Sequence, residues 1–238
     1  METKYVSTAI TAVKARQEAS TVFLAKVFNW MAVGLGLTGV IAWLTASTGL
    51  TLSIAQSPLY IVLILAELGL VWYLSARIDK IQTATATGLF FAYALLNGLT
   101  LSVIFLIYSG ASIAGTFLIS AAMFLAMAIY GMVTKRDLAG LGAFMFMGLI
   151  GILIASIVNI FLASSTLHWA ISLIGVIVFV GLTAYDVQKI KSMGEQQGFM
   201  SQGDAAVQKG AIIGALALYL DFINLFLMLL RFFGGSRD

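Results

Sequence analysis

Seven apolar runs separated by short polar connections dominate this chain. Each is about 20 residues long, the length an α-helix needs to cross roughly 30 Å of hydrocarbon. In lipid, only helices and closed β-barrels satisfy their own backbone, and barrel strands alternate apolar with polar residues. These runs are continuous, so helices are expected. Composition agrees: 61% of the 238 residues are hydrophobic and 10% charged, where a soluble domain carries about 25% charge, and the mean hydropathy is +1.03. The expected fold is all-α, a polytopic membrane protein with one seven-helix domain over 25–233. A cytoplasmic N-terminal tail is expected at 1–24 and a short C-terminal tail at 234–238.

The spans are placed at about Val27–Ala46, Pro58–Ser75, Thr87–Tyr108, Ile113–Val133, Ala139–Leu162, His168–Ile190 and Gly210–Arg231. The first exceeds the roughly 7–15 residues of a signal-peptide core and lacks a cleavage site, so it reads as a retained helix. Ser57 is the expected cap of the second, with Pro58 as its first residue, and Ser165 or Thr166 the expected cap of the sixth. With the N-terminus in the cytoplasm, Lys4, Lys14, Arg16, Lys26, Arg77, Lys80, Lys135, Arg136, Lys189, Lys191 and Lys209 all fall inside. Only Arg231 and Arg237 fall outside, a strong positive-inside bias with an awkward basic C-terminus. The longest connection, 192–208, is polar and glycine-bearing, a tether or a regulatory loop. No internal repeat supports inverted-repeat transport.

Ten acidic residues are present, and seven lie in tails or connections. The exceptions are Glu67 in the second helix, Asp186 near the inner end of the sixth and Asp221 in the middle of the seventh. An Asp at the centre of a membrane helix costs about 2.5–3.5 kcal/mol on insertion scales, so Asp221 requires a partner. The candidates are Asp186, Glu67 and Arg77. Glu67 reads as a functional acid or as a carboxyl hydrogen-bonded to a neighbouring helix. Asp186 reads as functional or as a solvated helix end. Asn224, three residues after Asp221, shares its helix face, whereas Tyr219 lies on another flank and reads as packing. Gly210-x-x-x-Gly214 permits close helix approach.

Several function classes are excluded as expectations. The chain has no cysteine and one histidine, so no disulfide, thiolate or histidine-cluster metal centre is expected. A net charge of +3, dispersed among loops, does not suit nucleic acid. The single His168 sits at the outer edge of the sixth span, a solvated helix start rather than a hydrolase base. Lys209 lies only at the entrance of the seventh, unsuited to a Schiff base. Neither enzymatic activity nor a cofactor is expected, and the methionines read as gap-filling.

Thr183-Ala184-Tyr185-Asp186-Val187-Gln188-Lys189-Ile190-Lys191 resembles the end of the sixth helix of the Bax-inhibitor (transmembrane Bax-inhibitor-motif) family. Leu218-Tyr219-Leu220-Asp221-Phe222-Ile223-Asn224-Leu225-Phe226, followed by Leu230-Arg231-Phe232-Phe233-Gly234, resembles its seventh. Leu96–Ser102 and Glu67-Leu68-Gly69-Leu70 fit more weakly. The resemblance implies a seventh helix surrounded by the other six. It implies that Asp186 and Asp221 form a carboxyl–carboxylate pair sensing pH for a calcium leak, with Arg77 as the best match to an arginine latch. The link between the aspartates is longer than in compact bacterial members. The chain lacks the basic tail of animal and plant relatives, which favours a bacterial inner membrane.

Two carboxyls in hydrogen-bond contact cannot both ionise cheaply, so such a pair titrates as a unit. Under this resemblance a shared proton holds the sixth and seventh helices together, and its loss sets like charges against each other. A second proton instead frees Arg77. Calcium takes about 6–8 oxygen ligands. Asp186 and Asp221 are the expected metal-facing carboxyls, with Glu67, Asn97 and Asn224 along the ion path, a donor set suited to a leak. The implied partners are the lipid bilayer, calcium ions and protons. The alternatives are a non-conducting regulator of other membrane proteins, of protease-modulator or death-suppressor type, and a proton-coupled calcium exchanger. By helix count alone Asp186 and Asp221 lie about 10 Å apart in depth, so contact requires helix six to run past Ile190 or helix seven to begin nearer Ala205.

Overall fold

The computed structural model describes residues 2–196 and 203–235, with side chains from Lys14 onward. Its helices are α1 (Glu2–Ser47), α2 (Leu50–Ala55), α3 (Leu59–Arg77), α4 (Thr83–Leu101), α5 (Ile104–Ile107), α6 (Gly110–Val133), α7 (Ala139–Leu162), α8 (Ser165–Glu195) and α9 (Asp204–Phe233). Seven stretches are long and apolar enough to cross a membrane: α1, α3, α4 with α5, α6, α7, α8 and α9. The all-α, seven-span expectation holds.

Helix ends depart from the expected boundaries for local reasons. The stretch expected as a tail at 1–24 is helical from Glu2 and runs unbroken into the first span. Its Ala, Lys, Arg, Gln and Glu residues favour helix without being apolar. Ser57 does not cap α3; its hydroxyl donates backward to the Ile54 carbonyl, and Pro58 is the cap residue. Ser164, one position before the expected cap, closes α8 by accepting from the Leu167 N–H at 3.3 Å. The third span breaks after Leu101, where the buried Ser102 hydroxyl donates to the Leu99 carbonyl at 2.6 Å. Serine back-bonding of this kind bends helices. The connection expected at 192–208 is eroded from both sides, with α8 reaching Glu195 and α9 starting at Asp204. Its centre, 197–202, lies outside the described residues.

α9 is the axis of the bundle. Of its most apolar stretch 72% is buried, against 11–50% for the other six spans. It packs on α8, α1, α6 and α4 and lightly on α3, while α7 packs chiefly on α8. The surround is therefore uneven, with α7 standing behind α8. Both ends of α9 are tied. Lys209 Nζ donates to the Asp79 carbonyl at 3.4 Å, and the Gly235 N–H donates to Ser112 Oγ at 2.9 Å.

Glycines bring α8 close to its neighbours, as expected where helices associate through close packing rather than the hydrophobic effect. A Cβ on Gly131 of α6 would collide with the Ala184 carbonyl of α8, and one on Gly142 of α7 with the Tyr185 ring. A Cβ on Gly175 of α8 would lie 2.9 Å from Met228 of α9. The motif around Asp186 is thus held on two sides by missing side chains. Gly131→Ala is expected to cost roughly 1–3 kcal/mol through overpacking. The cost should appear as a lowered thermal midpoint in detergent. Gly39→Ala, where nothing lies within 4 Å of the added carbon, should leave the midpoint unchanged or raise it.

Candidate functional site

The side chains of Asp186 on α8 and Asp221 on α9 lie against each other, within hydrogen-bonding reach. Helix length makes this possible. Asp221 lies 17 residues into α9 and Asp186 lies 9 residues before the end of α8. With the carboxyls level, the start of α9 projects about 12 Å past the end of α8, at roughly 1.5 Å per residue. The structure brings the two carboxyls together, and the unequal helix ends remove the depth difficulty. Asp221 is 5% exposed and Asp186 half-buried. Oδ2 of Asp221 is fully buried, and no N–H or hydroxyl donor reaches it. A hydrogen bond between two carboxyls needs a proton on one of them, so whether this contact bonds depends on protonation.

The rest of the motif on α8 positions Asp186. Gln188 clamps the α6–α7 turn, its Oε1 accepting from the Leu138 N–H and its Nε2 donating to the Arg136 carbonyl, both at 2.8 Å. Lys191 Nζ donates to the Met132 carbonyl at 2.7 Å near the end of α6 and pairs with Glu195 at 3.8 Å. Lys189, one turn beyond Asp186, lies over the Tyr185 ring at 5.9 Å. Its positive charge stands beside Asp186. Arg77, the expected latch, is exposed at the end of α3 and, among the described residues, joins neither aspartate. The reason is geometric: α3 packs on α4 and touches α9 only lightly.

Glu67 and Asn97 form a second polar cluster on the other side of α9. Glu67 accepts from Asn97 Nδ2 at 3.1 Å and from Thr100 Oγ1 at 2.8 Å. Asn97 Oδ1 accepts from the Tyr219 hydroxyl at 3.0 Å, and Tyr219 contacts Thr38 Oγ1 at 2.7 Å. Thr38 in turn lies 2.8 Å from the Ala94 carbonyl. Tyr219 therefore does more than pack. It is fully buried, and its hydroxyl joins α1 and α4 to α9, with Glu67 of α3 reached through Asn97. The Tyr219 hydroxyl donates to Asn97 and Asn97 donates to Glu67, so donation runs from α9 through α4 to the carboxyl on α3, while Thr38 donates to the Ala94 carbonyl.

Asn224, expected on the ion path, donates to the Leu220 carbonyl of its own helix at 2.8 Å. For the calcium role expected of Asp186 and Asp221, the carboxyls present are those two. Among the described residues no group of three or more His, Cys, Asp or Glu comes together. Two carboxyls alone fall short of the oxygen shell of a tight calcium site. Sequence reasoning missed Tyr219, Thr38, Thr100, Gln188 and Lys191. A signal existed for Tyr219, because a hydroxyl inside an apolar span needs a partner as much as a carboxyl does.

The model of the family described as inhibitor of apoptosis-promoting Bax1 matches residues 20–238. The inner membrane protein YbhL of Escherichia coli is 52% identical over 217 residues, covering 90% of this chain and 92% of that protein. An uncharacterized protein of Borreliella burgdorferi is 47% identical over 219 residues, covering 91% and 93%. One of Rickettsia prowazekii is 47% identical over 217 residues, covering 91% and 90%.

Tyr219→Phe should destabilise the protein by about 0.6–1.7 kcal/mol, the range for hydrogen bonds between membrane helices. Unfolding in detergent measures this, and a double-mutant cycle with Glu67→Gln should show coupling through Asn97.

Proposed function

The chain belongs to the Bax inhibitor family, and on that premise we propose that it is a pH-sensitive calcium leak channel gated by the Asp186–Asp221 pair. The observation that carries this reading is a proton-dependent contact between the buried central helix and its principal neighbour. With one proton shared, the two carboxyls tie α8 to α9. With none, two like charges face each other in a poorly solvated place. At about 4 Å and an effective dielectric near 20, such charges repel by about 4 kcal/mol. That exceeds the typical worth of one interhelical hydrogen bond, about 0.6 kcal/mol, so deprotonation biases the helices apart.

The opening exposes acidic oxygen between α8 and α9, which attracts calcium without a full ligand shell. Glu67 and Asn97 line the opposite flank, joined to α9 through the Tyr219 hydroxyl. Arg77 serves as a latch only in an arrangement where α3 closes on α8. The reading includes neither enzymatic chemistry nor a cofactor. We place the protein in a bacterial inner membrane, following the name of the Escherichia coli relative. The N-terminus lies in the cytoplasm, following the distribution of Lys and Arg.

Purified protein in liposomes with a calcium gradient should show flux that changes with pH. Asp221→Asn keeps the shape and removes the shared proton, so the pH response should vanish. Asp186→Asn should act alike, and Arg77→Gln should alter the flux if the latch operates. Flux and pH response unchanged in both aspartate variants would sink the gate. No flux from any form, with a membrane protein co-purifying, would favour a non-conducting regulator. Stoichiometric proton counter-movement would indicate an exchanger.

A further inference from the structure

Arg231 is the residue the gate leaves unexplained. It lies ten residues beyond Asp221, at the end of α9 away from the carboxyl pair. The connections at that end, around Gly49, Gly110 and Ser164, hold no Lys or Arg. Arg231 is exposed, and among the described residues it forms no hydrogen bond or ion pair. It lines a cleft of about 410 Å³ between the α7–α8 turn and the end of α9, together with Asn159, Ser165, His168, Trp169 and Phe232.

We infer that this cleft binds a phosphate-bearing anion. Among the described residues its lining contains a guanidinium and an imidazole and no acidic residue. Guanidinium presents a planar fork that matches phosphate oxygens in a bidentate way. The cleft also receives the start of α8, a 31-residue helix. Ser164 accepts from the Leu167 and His168 N–H groups, which leaves those of Ser165 and Thr166 without an intrahelical partner. Asn159 spends its Oδ1 on the Ser164 N–H at 3.0 Å, which leaves its amide donors over. Ala163, in the left-handed conformation at φ 47, makes the turn tight enough to bring these groups beside Arg231.

Size and polarity narrow the ligand. A volume of about 410 Å³ is within the roughly 300–1,000 Å³ of small-molecule sites, more than a bare carboxylate fills. One wall is apolar, formed by the edge-on contact of Trp169 and Phe232 at 5.5 Å. A charged floor beside an aromatic wall at the end of a membrane bundle suits an anionic phosphate ester with an organic substituent. Such a group comes from an anionic phospholipid headgroup or from a soluble phosphate ester.

Thermal unfolding of the full chain in neutral detergent separates the sources. One arm titrates glycerol phosphate, and the other short-chain phosphatidylglycerol against phosphatidylcholine of the same chain length. The midpoint should rise with at least one anionic probe and rise less with phosphatidylcholine. A rise with the lipid alone assigns a headgroup, and a rise with glycerol phosphate alone assigns a soluble ester. Arg231→Gln should weaken the apparent affinity tenfold or more, Arg231→Lys should restore part of it, and Lys80→Gln at the opposite end should change nothing. His168→Ala provides a separate removal, expected to weaken binding several-fold, should Arg231→Gln fail to fold. No rise with either anionic probe, or equal rises in the wild type and both removal variants, would overturn the assignment.

Discussion

A carboxyl in the middle of an apolar helix has to be answered from a neighbouring helix, and that demand fixes where α9 stands. Lipid offers Asp221 neither water nor a counter-charge. Its partner must come from protein, at the same depth and on the correct face. Asp186 satisfies both conditions because α8 and α9 run past each other to unequal ends, and because glycines let α6 and α7 press α8 into place. The remainder of the motif on α8 serves this alignment. Gln188 and Lys191 grip the backbone at the α6–α7 turn, so the height of Asp186 is set by hydrogen bonds to other helices.

Tyr219 and Asp221 are two residues apart, and at about 100° per residue they point to nearly opposite sides of α9. One side meets the carboxyl of α8, and the other meets Thr38 and Asn97 of α1 and α4. A helix with polar side chains on opposite faces cannot present either face to lipid. This explains why α9, as apolar as its neighbours, sits at the centre of the bundle and they sit at its rim. The two polar clusters thus tie the central helix to both halves of the bundle.

The two ends of the bundle differ in chemistry. Lys135, Arg136, Lys189 and Lys191 gather where α6, α7 and α8 meet, and the side chains of Gln188 and Lys191 are engaged with backbone there. At the other end Arg231 stands apart, beside serines, an asparagine and two aromatic rings. The charge that looked awkward under the positive-inside pattern thus has a structured setting. It lies about 15 Å along the helix from the carboxyl pair, at roughly 1.5 Å per residue.

The order of residues by itself determined the seven spans, because backbone in lipid allows continuous apolar runs of this length little besides helix. It also singled out Glu67, Asp186 and Asp221, because an acid in such a run is conspicuous. Helix ends were less legible: Ser164 rather than Ser165 caps α8, and α1 begins well before its apolar run, since capping and helix propensity act outside the hydrophobic pattern. Only the tertiary structure decided the pairings. It put Asp221 against Asp186, left Arg77 at a helix end with neither aspartate, turned Asn224 onto its own backbone, and made Tyr219 the hub of a network reading had taken for packing. The physical reason is that a side chain's depth and facing depend on how far each helix overshoots its neighbour and on which glycines allow approach. Neither quantity is local in sequence.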